Sequence, residues 1–273
     1  STIAVRWHEP VAAEVAARAA LELDAAGGGR VDALIDLGHV ASESGLSEMA
    51  LELYGVCRHE FERRRDWTGV AYIDMNVGIV HQRLGRNELA LELYGDAATV
   101  FADMRGDDLL RACWTNMIGA LRSDGQLLEA SGLADRLVSI FRPGSRRLEL
   151  ADAVFNRANV LRHLDRREDA RHGYIEALET YRHLGLRTEQ ADSLDALGRI
   201  ARHDGLLHFS EQMHREALRL YDGRHHRVDE AIARYNLAIT LILMGRHAEA
   251  ILLCDLATGV CGTDLDPGAV KAY

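Results

Sequence analysis

Apolar residues recur along this chain at spacings of three and four, interrupted at regular intervals by a glycine. Tyr72–Leu84 and Glu88–Met104 are two such stretches, rich in good helix formers, with Gly85 between them. The pattern predicts a helix, a tight turn and a longer second helix. It then starts again. The hexapeptide Ala-Leu-Glu-Leu-Tyr-Gly stands at 50–55 and, letter for letter, at 90–95, an offset of 40 residues that holds along nearly the whole chain. A fixed period of this size marks a repeat architecture.

Rows of 40 residues beginning at 31, 71, 111, 151, 191 and 231 align without gaps. One column reads Gly45, Gly85, Gly125, Asp165, Gly205 and Gly245, where the left-handed backbone that ends a helix is expected. Small residues fill two further columns: Ala50, Ala90, Ala130, Ala170, Ser210, Ala250, and Gly38, Gly78, Ile118, Ala158, Gly198, Ala238. They allow two helices to approach closely, and a leucine at Ala90 would push them apart. An aromatic column, Phe61, Phe101, Phe141, Tyr181, Tyr221 (Cys261 in the last row), is expected to fill the space between successive repeats. Departures from the pattern are Arg157 in an otherwise apolar column, which must snorkel or find a partner, and His214 in the column of Tyr54, Tyr94 and Tyr174.

These columns resemble the tetratricopeptide repeat (TPR): Leu37-Gly38, Val77-Gly78 and Leu197-Gly198, the turn glycine, an alanine five residues later, then Tyr54, Tyr94 and Tyr174. The resemblance covers roughly residues 31–260 and implies an all-α, right-handed superhelical solenoid of tandem helix-turn-helix hairpins. The family's usual period is ~34 residues, so the surplus implies a longer second helix and linker, as in long TPRs of bacterial signalling and regulatory proteins. Residues 1–30 then hold a partial repeat, with a second helix at 11–25 and a loop at Gly27-Gly28-Gly29. Residues 31–260 hold six repeats, and 261–273 the start of another at Asp266-Pro267. The ends read as those of an array cut from a longer protein.

A formal net charge of −10 disfavours direct nucleic-acid binding by this segment. Four cysteines, Cys57, Cys113, Cys254 and Cys261, make no disulfide framework in a chain of 273 residues and fit a reducing, cytoplasmic compartment. The Ala-rich stretch at 11–23 is broken by Glu14, Arg18 and Glu22, so it is neither signal peptide nor membrane span. Lys271 is the only lysine against many arginines, a bias of GC-rich bacterial genomes.

TPR arrays turn the first helix of each repeat toward a concave groove, and the resemblance assigns the groove to the second, fifth, ninth, twelfth and thirteenth positions of each row. Candidate partner-binding residues are Gln82, Arg83, Arg122, Asn159, Arg162, His163, Arg199, Arg202, His203, Tyr235 and Ile239, with Asn76, Asn116 and Asn156 from the sixth column. Asparagine can pair a peptide backbone as donor and acceptor, and arginine grips carboxylates through forked hydrogen bonds. Such a groove suits an acidic segment with an apolar anchor. Two alternatives stand beside this. The arginines can sit in water or pair with nearby carboxylates, Arg199 with Asp192 and Asp195, and the asparagines can bond adjacent repeats to one another. The apolar face of the sixth repeat, Ile239, Ile242 and Leu243, suits a further repeat or a partner.

No phosphate loop, dinucleotide fingerprint or spaced metal-ligand set is present; His225-His226 with Asp229 and Glu230 lacks a second spaced pair, and His81 falls in a core-type column. No enzyme, cofactor or metal is expected. The sequence reads as a protein- or peptide-binding scaffold or sensor segment of a larger bacterial regulatory protein. The alternatives are a receptor holding a small molecule or signalling peptide inside the superhelix, and a self-assembly module.

Overall fold

A computed structural model describes residues 28–104, 107–142, 146–221 and 227–261. The expected helix at 11–25, the His225-His226 pair and the Asp266-Pro267 start lie outside them. Every regular element among the described residues is a helix. They fall into two compact units, divided after Gln126. The first holds α1 (Gly28–Glu43), α2 (Ser47–Arg64), α3 (Trp67–Arg83), α4 (Asn87–Asp103) and α5 (Asp107–Ser123). The second holds α6 (Leu127–Phe141), α7 (Arg147–His163), α8 (Arg167–Leu184), α9 (Arg187–His203), α10 (Leu207–Leu220), α11 (Arg227–Leu243) and α12 (His247–Cys261). Within each unit a helix packs mainly on its neighbours in sequence. The first helices of successive hairpins also touch, α3 with α5 and α9 with α11. This is the local, one-dimensional packing of an all-α repeat solenoid.

The extra length of the repeat is shared between both helices. The first helices run 16 to 17 residues and begin three to four residues before the row starts; the second helices vary, with 18 residues in α2 and α8 but only 14 and 15 in α10 and α12. The expected longer second helix is therefore not general. Gly28 and Gly29, expected in a loop, open α1.

The hairpin turns follow one design. Gly85 takes φ +73°, its N–H bonds the Gln82 carbonyl at 3.0 Å, and the next N–H, of Arg86, reaches back to His81 at 2.9 Å. Two orphan carbonyls at the end of α3 are thereby satisfied. Asp165 holds the same geometry at φ 59° without being glycine, its carboxylate accepting Arg167 Nε at 2.7 Å. At the other junction, Asp66 accepts the Gly69 N–H at 2.9 Å and so starts α3.

The core is built from the small and aromatic columns. Ala50, Ala90, Ala130 and Ala170 are wholly buried, as are Tyr94 and Tyr174, with Tyr54 nearly so. The aromatic column lies between hairpins: a Cβ added at Gly69 on α3 would stand 2.4 Å from the Phe61 ring on α2. Tyr181 is buried in the same register and donates its hydroxyl to Asp152 on α7 at 2.9 Å. Arg157 finds its partner in Asp135 on α6, an ion pair at the surface of the second unit. Cys57 and Cys113 are buried thiols, and burial pushes Cys113 up to about 12, which leaves it inert.

Candidate functional site

In the first unit most of the expected groove residues are tied to their own framework. Asn76 is buried instead of facing outward. Its Nδ2 donates to the Tyr72 carbonyl at 3.0 Å, and its Oδ1 lies 3.3 Å from His39 Nε2 on α1. A polar group in that position must be satisfied by protein, and it joins two successive first helices. Gln82 Oε1 accepts the Tyr94 hydroxyl at 2.9 Å, and Arg83 Nη1 donates to Ser42 Oγ at 2.8 Å. Asn116 and Arg122 are half-buried on α5. His81 is half-buried, not in the core, and burial lowers its pKa.

The second unit differs. Three guanidiniums share the first-helix face: Arg162 near the end of α7, and Arg199 and Arg202 one turn apart near the end of α9. Arg202 Nη1 donates to the Asn236 carbonyl on α11 at 3.0 Å. Burial lowers the Arg202 pKa; the charges of Arg199 and Arg162 push the same way, while Asp195 and Tyr235 oppose them. The ring of Tyr235 on α11 is 44% exposed beside this cluster, and Ile239 follows one turn later, half-buried. Asn156 is half-buried on α7; Asn159 accepts the Tyr174 hydroxyl at 2.8 Å; His163 and His203 are exposed at the helix ends.

Beneath the arginines lies a buried polar node. Asp195 Oδ1 is 2.8 Å from His214 Nδ1, both Asp195 oxygens accept Asn236 Nδ2 (3.2 and 3.0 Å), and Arg199 Nε stands 3.3 Å from Oδ2. Burial works to raise the Asp195 pKa, but the bonds from His214 and Asn236 and the Arg199 charge hold it below the usual carboxylate value. Asn236, like Asn76, thus serves the packing of one first helix on the next. His214 is wholly buried, and a Cβ at Gly198 would meet its ring at 2.7 Å.

A cleft of about 480 Å³ on the same unit opens between the second helices α8 and α10 over α9. Its apolar lining includes Ile175, Leu178, Leu197, Phe209 and Met213, and Ile175 and Phe209 are exposed. Sequence reasoning missed it. The available signal was Ile175 in a column that otherwise reads Gly55, Gly95, Asp135, Arg215 and Asp255. The last hairpin exposes Ile242, Leu243, Ile251, Leu252 and Leu256.

Among the described residues no group of three His, Cys, Asp or Glu side chains could hold a metal ion, and no helix is long and apolar enough to cross a membrane.

The fold defines the class: a solenoid of TPR-like hairpins. No family model matches the chain and no curated protein is similar to it in sequence. Solved structures resemble it at low identity. The Rap conjugation gene regulator of plasmid pLS20, in complex with the Phr* peptide, is 15% identical with a TM-score of 0.65 over 96% of this chain and 69% of that one. BtubC from P. vanneervenii is 18% identical, TM-score 0.59, covering 89% of this chain and 93% of its own. A putative kinesin light chain of TPR-like repeats from Podosopora anserina is 16% identical, TM-score 0.53, covering 69% and 93%.

Proposed function

We propose that this array is a recognition module of a bacterial regulatory protein, working in the cytoplasm, that binds a protein or peptide segment along the first-helix face of its second unit. The observation that carries the reading is the cluster of Arg162, Arg199 and Arg202 on that face with Tyr235 beside it. Forked guanidiniums suit an acidic side chain or chain terminus, and an exposed aromatic ring next to them suits an apolar anchor. The likeness to a Rap regulator solved with a peptide supports the same reading. No catalytic assembly is proposed.

The test is selection from a displayed random peptide library. The wild-type protein is expected to enrich sequences pairing Asp or Glu with a nearby apolar residue, and the folded double variant Arg162→Glu, Arg202→Glu to lose that enrichment. Enrichment of nothing, or of the same sequences by both proteins, would defeat the reading.

A further inference from the structure

Charge counting on the first-helix face of the second unit narrows the ligand. Arg162, Arg199 and Arg202 carry three positive charges, and the carboxylate adjoining them is Asp195. Asp152 sits ten residues before Arg162 on α7, and Asp192 seven before Arg199 and ten before Arg202 on α9, about 10 to 15 Å along the helix axis, where they accept the hydroxyls of Tyr181 and Tyr221. Asp195 cancels one guanidinium. The excess of the three guanidiniums over that carboxylate is two positive charges. The sequence concentrates this charge at one place. The twelfth position reads Ser42, Gln82, Arg122, Arg162, Arg202, Ile242, and the ninth reads His39, Ile79, Gly119, Asn159, Arg199, Ile239, so α9 alone has arginine at both.

One of the three side chains is also uncommitted at Nε. Arg162 Nε is buried and makes no hydrogen bond, whereas Arg199 Nε, which also makes none, is ion-paired with Asp195 at 3.3 Å. Arg162 Nη2 meets only the ring nitrogen of its neighbour His163, at 3.0 Å. The protein therefore holds the cluster half out of water with only part of its charge met, by Asp195, an arrangement that costs stability until an anion arrives.

We propose that Arg162, Arg199 and Arg202 form a binding site for a phosphoryl group carried on a side chain of the bound peptide segment. A single carboxylate leaves at least one positive charge unbalanced in a half-buried place. A phosphorylated side chain brings about −1.5 to −2 charges near neutral pH and three acceptor oxygens, enough for three separate guanidiniums. Asn236 and Asp195 position the site: the first fixes Arg202 Nη1 through its carbonyl, and the second holds Arg199 and the Asn236 amide. This rests on the recognition reading above and gives the chemistry of its anion.

The experiment follows the arginine Nε–Hε resonances of the intact chain by NMR while inorganic phosphate is titrated at pH 7.5 and constant ionic strength, with acetate as the matched control. Phosphate is expected to produce saturable shifts that acetate does not. Arg162→Gln with Arg202→Gln should weaken the response at least tenfold while the helical signal and melting temperature stay near wild type. Arg162→Lys, which keeps the charge, should retain part of it. Equal responses to phosphate and acetate, or an undiminished response in the double variant, overturn the proposal. A second arm uses peptides from the library selection with phosphoserine in place of the selected acid. At least tenfold tighter binding is expected, and equal binding overturns a phosphoryl ligand while leaving peptide recognition intact. Phosphate binding together with an empty library selection would have the opposite meaning: the anion site stands and the peptide reading fails.

Discussion

Gly78 on α3 lies so close to Tyr94 on α4 that a Cβ on the glycine would stand 2.6 Å from Cε1 of the ring. Gly38 and Tyr54 repeat this at 2.5 Å, and Gly198 meets His214 at 2.7 Å. The small column exists because the large side chain sixteen residues later needs its volume.

Gly95 follows Tyr94 directly, lies within α4, and has open space where its Cβ would be. The two glycines of one hairpin should therefore respond oppositely to alanine. Gly78→Ala should cost roughly 1–3 kcal/mol through overpacking. Gly95→Ala should stabilise by roughly 0.5–1 kcal/mol through helix propensity. Urea unfolding of both variants checks this; a matching sign would mean that the ring contact does not govern the hairpin.

Repeats four and five solve one packing problem with different chemistry. Phe155 and Tyr174 meet edge-on with ring centroids 5.4 Å apart. Forty residues on, the same two positions are Asp195 and His214, joined by a 2.8 Å hydrogen bond. Either single change toward the aromatic pair, Asp195→Phe or His214→Tyr, leaves a buried polar group without its partner and should cost roughly 3–5 kcal/mol. The double change should cost less than the sum by at least about 1 kcal/mol. A double-mutant cycle by denaturant melts measures the coupling, and simple additivity would show that the two residues are not a unit.

Asp192 accepts the Tyr221 hydroxyl at 2.6 Å, and burial first, with the charges of Asp229, Asp195 and Glu189, pushes it up to about 6 despite that bond. A carboxyl raised above its unfolded value binds more protons in the folded state. Its contribution is fully favourable below about pH 4 and is lost as pH rises through about 6. Asp192→Asn should thus stabilise the protein at pH 8 relative to wild type, with an advantage that shrinks by roughly 2 kcal/mol on going to pH 4.5. Melts at the two pH values check the sign; an advantage independent of pH would mean that Asp192 titrates normally.

The hairpins were legible because their determinants are local. A turn at Gly85, a small residue at Ala90 and a ring at Tyr94 each leave a mark in the sequence at fixed spacing. The length of α3 was less legible, since Trp67 to Val70 carry no helical period of their own; Gly69 gains its place against the Phe61 ring of α2, while Trp67 stays exposed. The arginines at 162, 199 and 202 could be read from row position alone. For Asn76 and Asn236 both roles stood open, groove or bond between adjacent repeats: whether such an amide faces outward or toward the preceding first helix depends on the rotation of one hairpin against the next, which no single row encodes. Asp195 was readable as a neighbour of Arg199, but its bond to His214 joins two positions whose usual occupants are apolar and aromatic.

Recognition by the first-helix face of the second unit is most directly tested by amide chemical-shift mapping with a library-selected acidic peptide. The account predicts perturbations concentrated on α7, α9 and α11 around Arg162, Arg202 and Tyr235. Perturbations confined to α8 and α10 around Ile175 and Phe209 would place the ligand in the outer cleft and contradict it.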